Sequence, residues 1–219
     1  MQQAPYEQIG DPFDRQVENL AQCGYPEAAG LGRDALMQHL EPLRARLDIL
    51  DTLDPLAPEG RIPFVIVLRR ELVAPEAALP LVRLGGKTGF TEMEADDLGR
   101  FGPIDGLELP AGMAYLMVDV DTGRDTLDVT PDDALGRIRA QGRSPLTIDE
   151  GVAMVTHHPG ILADRNSFSM LGSRCGDRRV TALWMSRGRP RLGWCWAGNP
   201  HAWLGSASCG GRLGPGVDR

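Results

Sequence analysis

The sequence predicts an α+β fold, with N-terminal helices followed by a mixed sheet, flanking helices and a C-terminal β-hairpin. Three observations carry this. The first fifty residues repeat apolar side chains at helical spacing, two later β-branched runs have the length of buried strands, and helices and strands do not alternate as βαβ units. At 219 residues the chain is read as one globular domain, 1–219, with a helical part at 1–55, an α+β core at 60–212 and a tail at 213–219. A core of that size needs neither disulfides nor metal to be stable.

Phe13, Val17 and Leu20 mark a first helix, and Leu36, Leu40, Leu43, Leu47 and Leu50 form the apolar stripe of a second. Pro42 predicts a kink or boundary within that stripe, and the Pro- and Gly-bearing segment 54–60 breaks the chain. Ile62 to Leu68 and Ala114 to Val120 read as strands buried on both faces. Between them, Pro75 to Leu84 suits a short helix, and 85–111 suits a long ordered loop rich in Gly, Asp and Glu. Thr130-Pro131-Asp132-Asp133 is a helix start, and Thr147-Ile148-Asp149-Glu150 is a capping box opening a helix that reaches His157-His158 and stops at Pro159. Val180 to Ser186 and Arg191 to Ala197 read as strands joined through Arg187-Gly188-Arg189-Pro190.

Composition excludes several classes. With 42% hydrophobic and 24% charged residues the chain is neither disordered nor membrane-spanning, so it is expected to be soluble with no membrane partner. Met1-Gln2-Gln3-Ala4-Pro5-Tyr6-Glu7 has no basic or apolar signal region, which predicts a cytoplasmic protein whose four cysteines are reduced. Net charge is −7 but uneven: 1–130 carries 11 basic against 23 acidic residues, and 131–219 carries 12 against 7. The basic end either attracts an anion or is neutralised by the acidic end in the fold.

The chemically distinctive residues lie late in the chain. All four tryptophans, three of four cysteines and three of four histidines fall within 157–209. Period-2 alternation in Leu192-Gly193-Trp194-Cys195-Trp196-Ala197 puts bulk on one face and leaves the other nearly flat, open to a planar ligand or to a packed helix. Cys175 and Cys209 each sit among Arg and Gly, a setting that stabilises a thiolate, with His157, His158 or His201 as the base it would need. Cys175, Cys195, His201 and Cys209 make a Cys₃His set, but no Cys-x₂₋₄-Cys knuckle exists, so no metal is assigned. Gly85-Gly86-Lys87-Thr88-Gly89 fails as a phosphate loop because Leu81 stands where Gly is required. Arg interleaved with Trp at 184–196 resembles a single-strand stacking platform, yet the chain is acidic overall and no nucleic-acid partner is expected.

Ser144 to Gly151, Leu171 to Arg179 and Gly193 to Asn199 resemble a family of actinobacterial proteins carrying a domain of unknown function. The resemblance implies an actinobacterial source and a cytoplasmic setting. It brings no activity, cofactor or partner. The residues themselves predict binding, with or without turnover, of a small anionic ligand in a pocket built by 157–212. Arg174, Asp177, Arg178, Trp194, Trp196 and Asn199 would hold the ligand, and Cys175, His201 and Cys209 would supply any catalysis. The alternatives are a protein–protein module with a basic, Trp-rich surface, and a zinc-stabilised module. A homo-oligomer is left open.

Overall fold

The computed structural model describes residues 11–47, 61–163 and 166–216. The helices are α1 (Pro12–Cys23), α2 (Tyr25–Ala28), α3 (Arg33–Arg44), α4 (Pro75–Ala78), α5 (Ala95–Gly99), α6 (Pro131–Ala140), α7 (Ile148–His157) and α8 (Gly160–Ala163). The strands are β1 (Ile62–Leu68), β2 (Arg83–Leu84), β3 (Lys87–Thr88), β4 (Phe90–Thr91), β5 (Gly102–Pro103), β6 (Ala114–Asp121) and β7 (Ser144–Pro145), continuing with β8 (Ser167–Met170), β9 (Ser173–Arg174), β10 (Arg179–Ser186), β11 (Arg189–Trp196), β12 (Leu204–Ser206) and β13 (Ser208–Leu213). Two sheets dominate, a four-stranded one ordered β1-β6-β13-β7 and a five-stranded one ordered β12-β8-β10-β11-β4. The protein is therefore α+β. No helix among the described residues is long and apolar enough to cross a membrane.

Helix α7 is the centre of the arrangement. Both capping-box bonds form, Thr147 N–H to Glu150 Oε2 at 2.7 Å and Glu150 N–H to Thr147 Oγ1 at 3.4 Å, so the first turn is fixed by its own side chains. Every residue from Ile148 to Thr156 is buried, because α7 packs on β1 on one side and on the five-stranded sheet on the other. Gly151 makes the second contact possible: a Cβ there would meet Met170 Sδ at 2.0 Å.

The N-terminal helices close the outer edge of β1. Asp11 caps α1 by accepting the Phe13 N–H, and Gly24 ends it at a φ of 97°. From α1, the buried Gln16 donates to Phe64 C=O at 3.0 Å and accepts from Ile66 N–H at 2.8 Å, standing where a neighbouring strand would. His157 completes that edge by donating from Nε2 to Ile66 C=O at 3.2 Å, while its Nδ1 accepts from Asn19 Nδ2 at 3.3 Å. Both bonds fit the neutral imidazole, and burial pushes its pKa down to about 3, helped by the neighbouring His158.

The sign of the resulting pH dependence follows. Between pH 3 and 6.5 the unfolded chain protonates this histidine and the folded chain does not, so stability is complete above about 6.5 and is lost as pH falls, approaching ~1.4 kcal/mol per unit. Between pH 7 and 4.5, urea unfolding should show the wild type losing about 2 kcal/mol more than His157→Gln. Equal losses would mean this imidazole does not govern the acid limb.

Several expectations need correction. Helix α3 runs through Pro42 to Arg44, so no helix boundary falls at the proline; its missing N–H forgoes one bond, to the Gln38 C=O, and the helix ends two residues later. The break at 54–60 and Leu50 lie outside the described residues. The helix expected from Pro75 to Leu84 is α4 followed by a 3₁₀ turn, Leu79–Leu81. Residues 85–111 are not one loop. Gly85 and Gly86, at φ 56° and 78°, turn β2 into β3, and β4, α5 and β5 follow. The β10–β11 turn is Arg187-Gly188 alone, both at positive φ (54° and 71°), so Arg189 and Pro190 belong to the strand.

Candidate functional site

Strands β10 and β11 build the site. Their register pairs Ala182 with Gly193, Trp184 with Arg191 and Val180 with Cys195 on one face. That is the face the sequence leaves nearly flat, and two groups cover it. At the Val180–Cys195 end it packs against α6 through Ala134 and Ile138. At the Gly193 position the Trp184 indole lies over the backbone, since a Cβ on Gly193 would come within 2.3 Å of the ring.

Beside this ring a cleft of about 350 Å³ opens, walled by Trp184, Trp194, Trp196, Trp203 and His201. Ala182, Cys195, Asn199 and Leu204 complete its lining. The indoles meet edge to face, Trp194 with Trp196 at 4.9 Å and Trp184 with Trp203 at 6.2 Å. Trp194, Trp196 and Trp203 are 38%, 47% and 49% exposed, so much of the aromatic surface faces solvent. His201 lies 5.4 Å from Trp203, and its Nε2 is shielded from water with no hydrogen-bond partner among the described residues. A buried ring nitrogen left this way costs about 1–3 kcal/mol until a partner reaches it.

Arg178 and Arg174 do not line the cleft but lie near residues beside or in it. Arg178 is exposed, lies over Gly198 with Nη2 2.6 Å from where a Cβ would stand, and has no ion pair among the described residues. Arg174, held in β9, reaches Asp132 at 3.4 Å and lies close enough to oppose the upward pull of burial on Cys195, whose pKa is nonetheless pushed up to about 11.

The other predicted residues lie elsewhere. Asp177 is occupied by Arg179, accepting its Nε at 2.9 Å, and Arg179 also grips Asp97 through two bonds of 2.6 and 2.8 Å. Cys175 donates its thiol to Asp177 at 3.2 Å, and burial together with that bond raises its pKa, so it stands as a thiol instead of the expected thiolate. Cys209 is in the other sheet, fully buried opposite Val120 and Ser144, with its pKa pushed up to about 12 by burial. The structure therefore gathers Trp194, Trp196, Asn199 and His201 in one cleft, whose lining includes none of Arg174, Arg178, Cys175, Asp177 and Cys209; Arg178 lies over Gly198 and Arg174 near Cys195. Among the described residues no three His, Cys, Asp or Glu side chains converge to hold a metal ion, so the Cys₃His alternative has no centre to build on.

The charge asymmetry is absorbed in part by the fold. Arg143 pairs with Asp119, Arg179 with Asp97 and Arg191 with Glu92, each joining the basic end to the acidic one. A second hollow of about 440 Å³ forms around the first of these pairs, where Arg61 and Arg143 bond an Asp119 held at a φ of 50°. Sequence reasoning missed it. An Asp in a Val-Asp-Val-Asp alternation reads only as the outward face of a strand.

The fold and cleft together define an α+β protein with an indole-walled surface cleft. A family model matches residues 19–215, and the chain belongs to that family, a family of unknown function (DUF5701). Searches of curated proteins and of solved structures gave no match.

Proposed function

We propose that the protein binds a small ligand with a planar body and an anionic group in the cleft between β10, β11 and Trp203. The observation that carries this reading is the convergence of four indoles and the His201 side chain on one hollow of about 350 Å³, a size that suits a small molecule. Trp194 and Trp196 offer π-faces to the planar part, and His201 supplies a directed hydrogen bond. The free guanidinium of Arg178 meets the anionic group, with Arg174 beside it once Asp132 is released. His201 is the acid–base group we assign to any turnover; Cys175 and Cys209 lie outside the cleft.

The test is a thermal-shift screen with nucleotides, phosphorylated metabolites and carboxylates. A ligand present at a hundred times its Kd should stabilise the wild type by about 2.7 kcal/mol. Trp203→Ala should abolish the shift and Arg178→Ala should reduce it. The reading fails if no anion stabilises the protein, or if both variants respond as the wild type does.

A further inference from the structure

The fold treats the outer edges of β1 and β11 differently. The outer edge of β1 is closed by Gln16 and His157, which bond the outward-facing groups of Phe64 and Ile66. The outer edge of β11 is closed only in part. Ala197 N–H bonds back to Arg178 C=O at 2.8 Å, so the odd-numbered positions of β11 face β10 and the even-numbered ones face away. Of those, Pro190 has no N–H to offer, and Leu192 is paired with Thr91 of β4, whose Oγ1 also donates to Leu192 C=O at 2.9 Å. The pairing ends there. Trp194 turns its N–H and C=O to an edge with no strand beside it among the described residues, and so does the N–H of Trp196, whose C=O is taken by Asn199.

Beyond Thr91 the chain leaves β11 through Glu92, Met93 and Glu94 into α5, and a groove of about 520 Å³ opens where the next strand would lie. One wall is the β11 edge with Trp184 and Trp194. The other carries Glu92, Glu94 and Asp97. Glu92 is paired with Arg191 and Asp97 with Arg179, so Glu94 is the carboxylate of this wall that has no partner among the described residues. We infer that this groove takes an extended peptide bearing basic side chains, which adds to β11 as a strand at Gly193–Trp196 and directs a cation at Glu94. The main-chain bonds come from Trp194 and Trp196, the side-chain selectivity from Glu94, since Arg191 and Arg179 already pair Glu92 and Asp97 and lie over the Trp184 and Trp194 rings. The inference rests on the open edge and the unpaired Glu94; the groove shares Trp184 and Trp194 with the cleft but does not depend on the ligand reading.

The test uses the full chain, isotopically labelled, titrated with a hexapeptide alternating Arg and Val and with its Glu–Val counterpart. Saturable shifts of the Trp194 and Trp196 amides are expected with the basic peptide alone. Glu94→Lys should weaken binding at least tenfold; the Glu94 side chain makes no cap bond to α5, so its loss spares the helix. Trp203→Ala, which alters the cleft and not the groove, should bind the basic peptide as the wild type does. No saturable shift at millimolar peptide, equal binding of the acidic peptide, or an unchanged affinity in Glu94→Lys each overturns the proposal.

Discussion

Arg212→Met should lower the free energy of unfolding by about 3–5 kcal/mol, read as a shift in urea midpoint, because it strands a buried carboxylate. Glu150 is wholly buried and accepts from Arg212 Nη2 at 2.9 Å, from Tyr115 Oη at 3.0 Å and from the Thr147 N–H at 2.7 Å. Arg212, 7% exposed, also donates to Ser144 Oγ at 2.6 Å and Pro145 C=O at 3.0 Å, so the pair ties β13, β7 and the start of α7 together. The Glu150 carboxylate depends on the guanidinium for charge balance. Adding Glu150→Gln to the variant removes the orphaned charge while keeping the Thr147 bond, and should recover a large part of the loss. If single and double variants melt alike, the cost comes from packing and not from the unpaired carboxylate.

Gly123→Ala should cost about 3 kcal/mol or more, or prevent folding outright. Two penalties combine. Gly123 sits at a φ of 82°, which an L side chain adopts at a cost of about 1–2 kcal/mol. Its missing Cβ would stand 2.1 Å from Ser206 C=O and 2.6 Å from Ser206 N, and backbone cannot swing aside as a side chain can. Gly205 faces it, 2.3 Å from Gly123 C=O by the same construction. Gly142→Ala, also at positive φ (69°) but with nothing within 4 Å, provides the control that isolates conformation from collision. Comparable thermal midpoints for the two variants would show that the close approach of the two backbones contributes nothing.

What could be read from the sequence was local. The capping box of α7 and its stop near Pro159 are written in adjacent residues, as are the β-branched runs that became β1 and β6. Strand β13 was not legible: Ser208-Cys209-Gly210-Gly211 has little strand propensity of its own, and its conformation is imposed by β6 on one side and β7 on the other. The same holds for the site. Trp194, Trp196, Asn199 and His201 could be grouped because they are near in sequence, but Trp184 and Trp203 become walls only through the β10–β11 register and the path of the chain back to β12. Cys209, among glycines and near an arginine, looked reactive, and only its place in the four-stranded sheet shows that water cannot reach it. The acidic wall of the groove comes from residues 92–97, nearly a hundred positions before the strand they face.

The place of β13 has a consequence for how the molecule is assembled. Strands β6 and β7 emerge from the ribosome well before it, yet they flank it in the finished sheet and share no ladder with each other. The β1–β6 pair can zip early, but β7 must wait without a neighbour until translation has delivered the segment that slots between them. During that interval the outer rim of β6 is bare, so a nascent chain of this protein carries a sticky flank whose protection depends on the speed of elongation or on a chaperone.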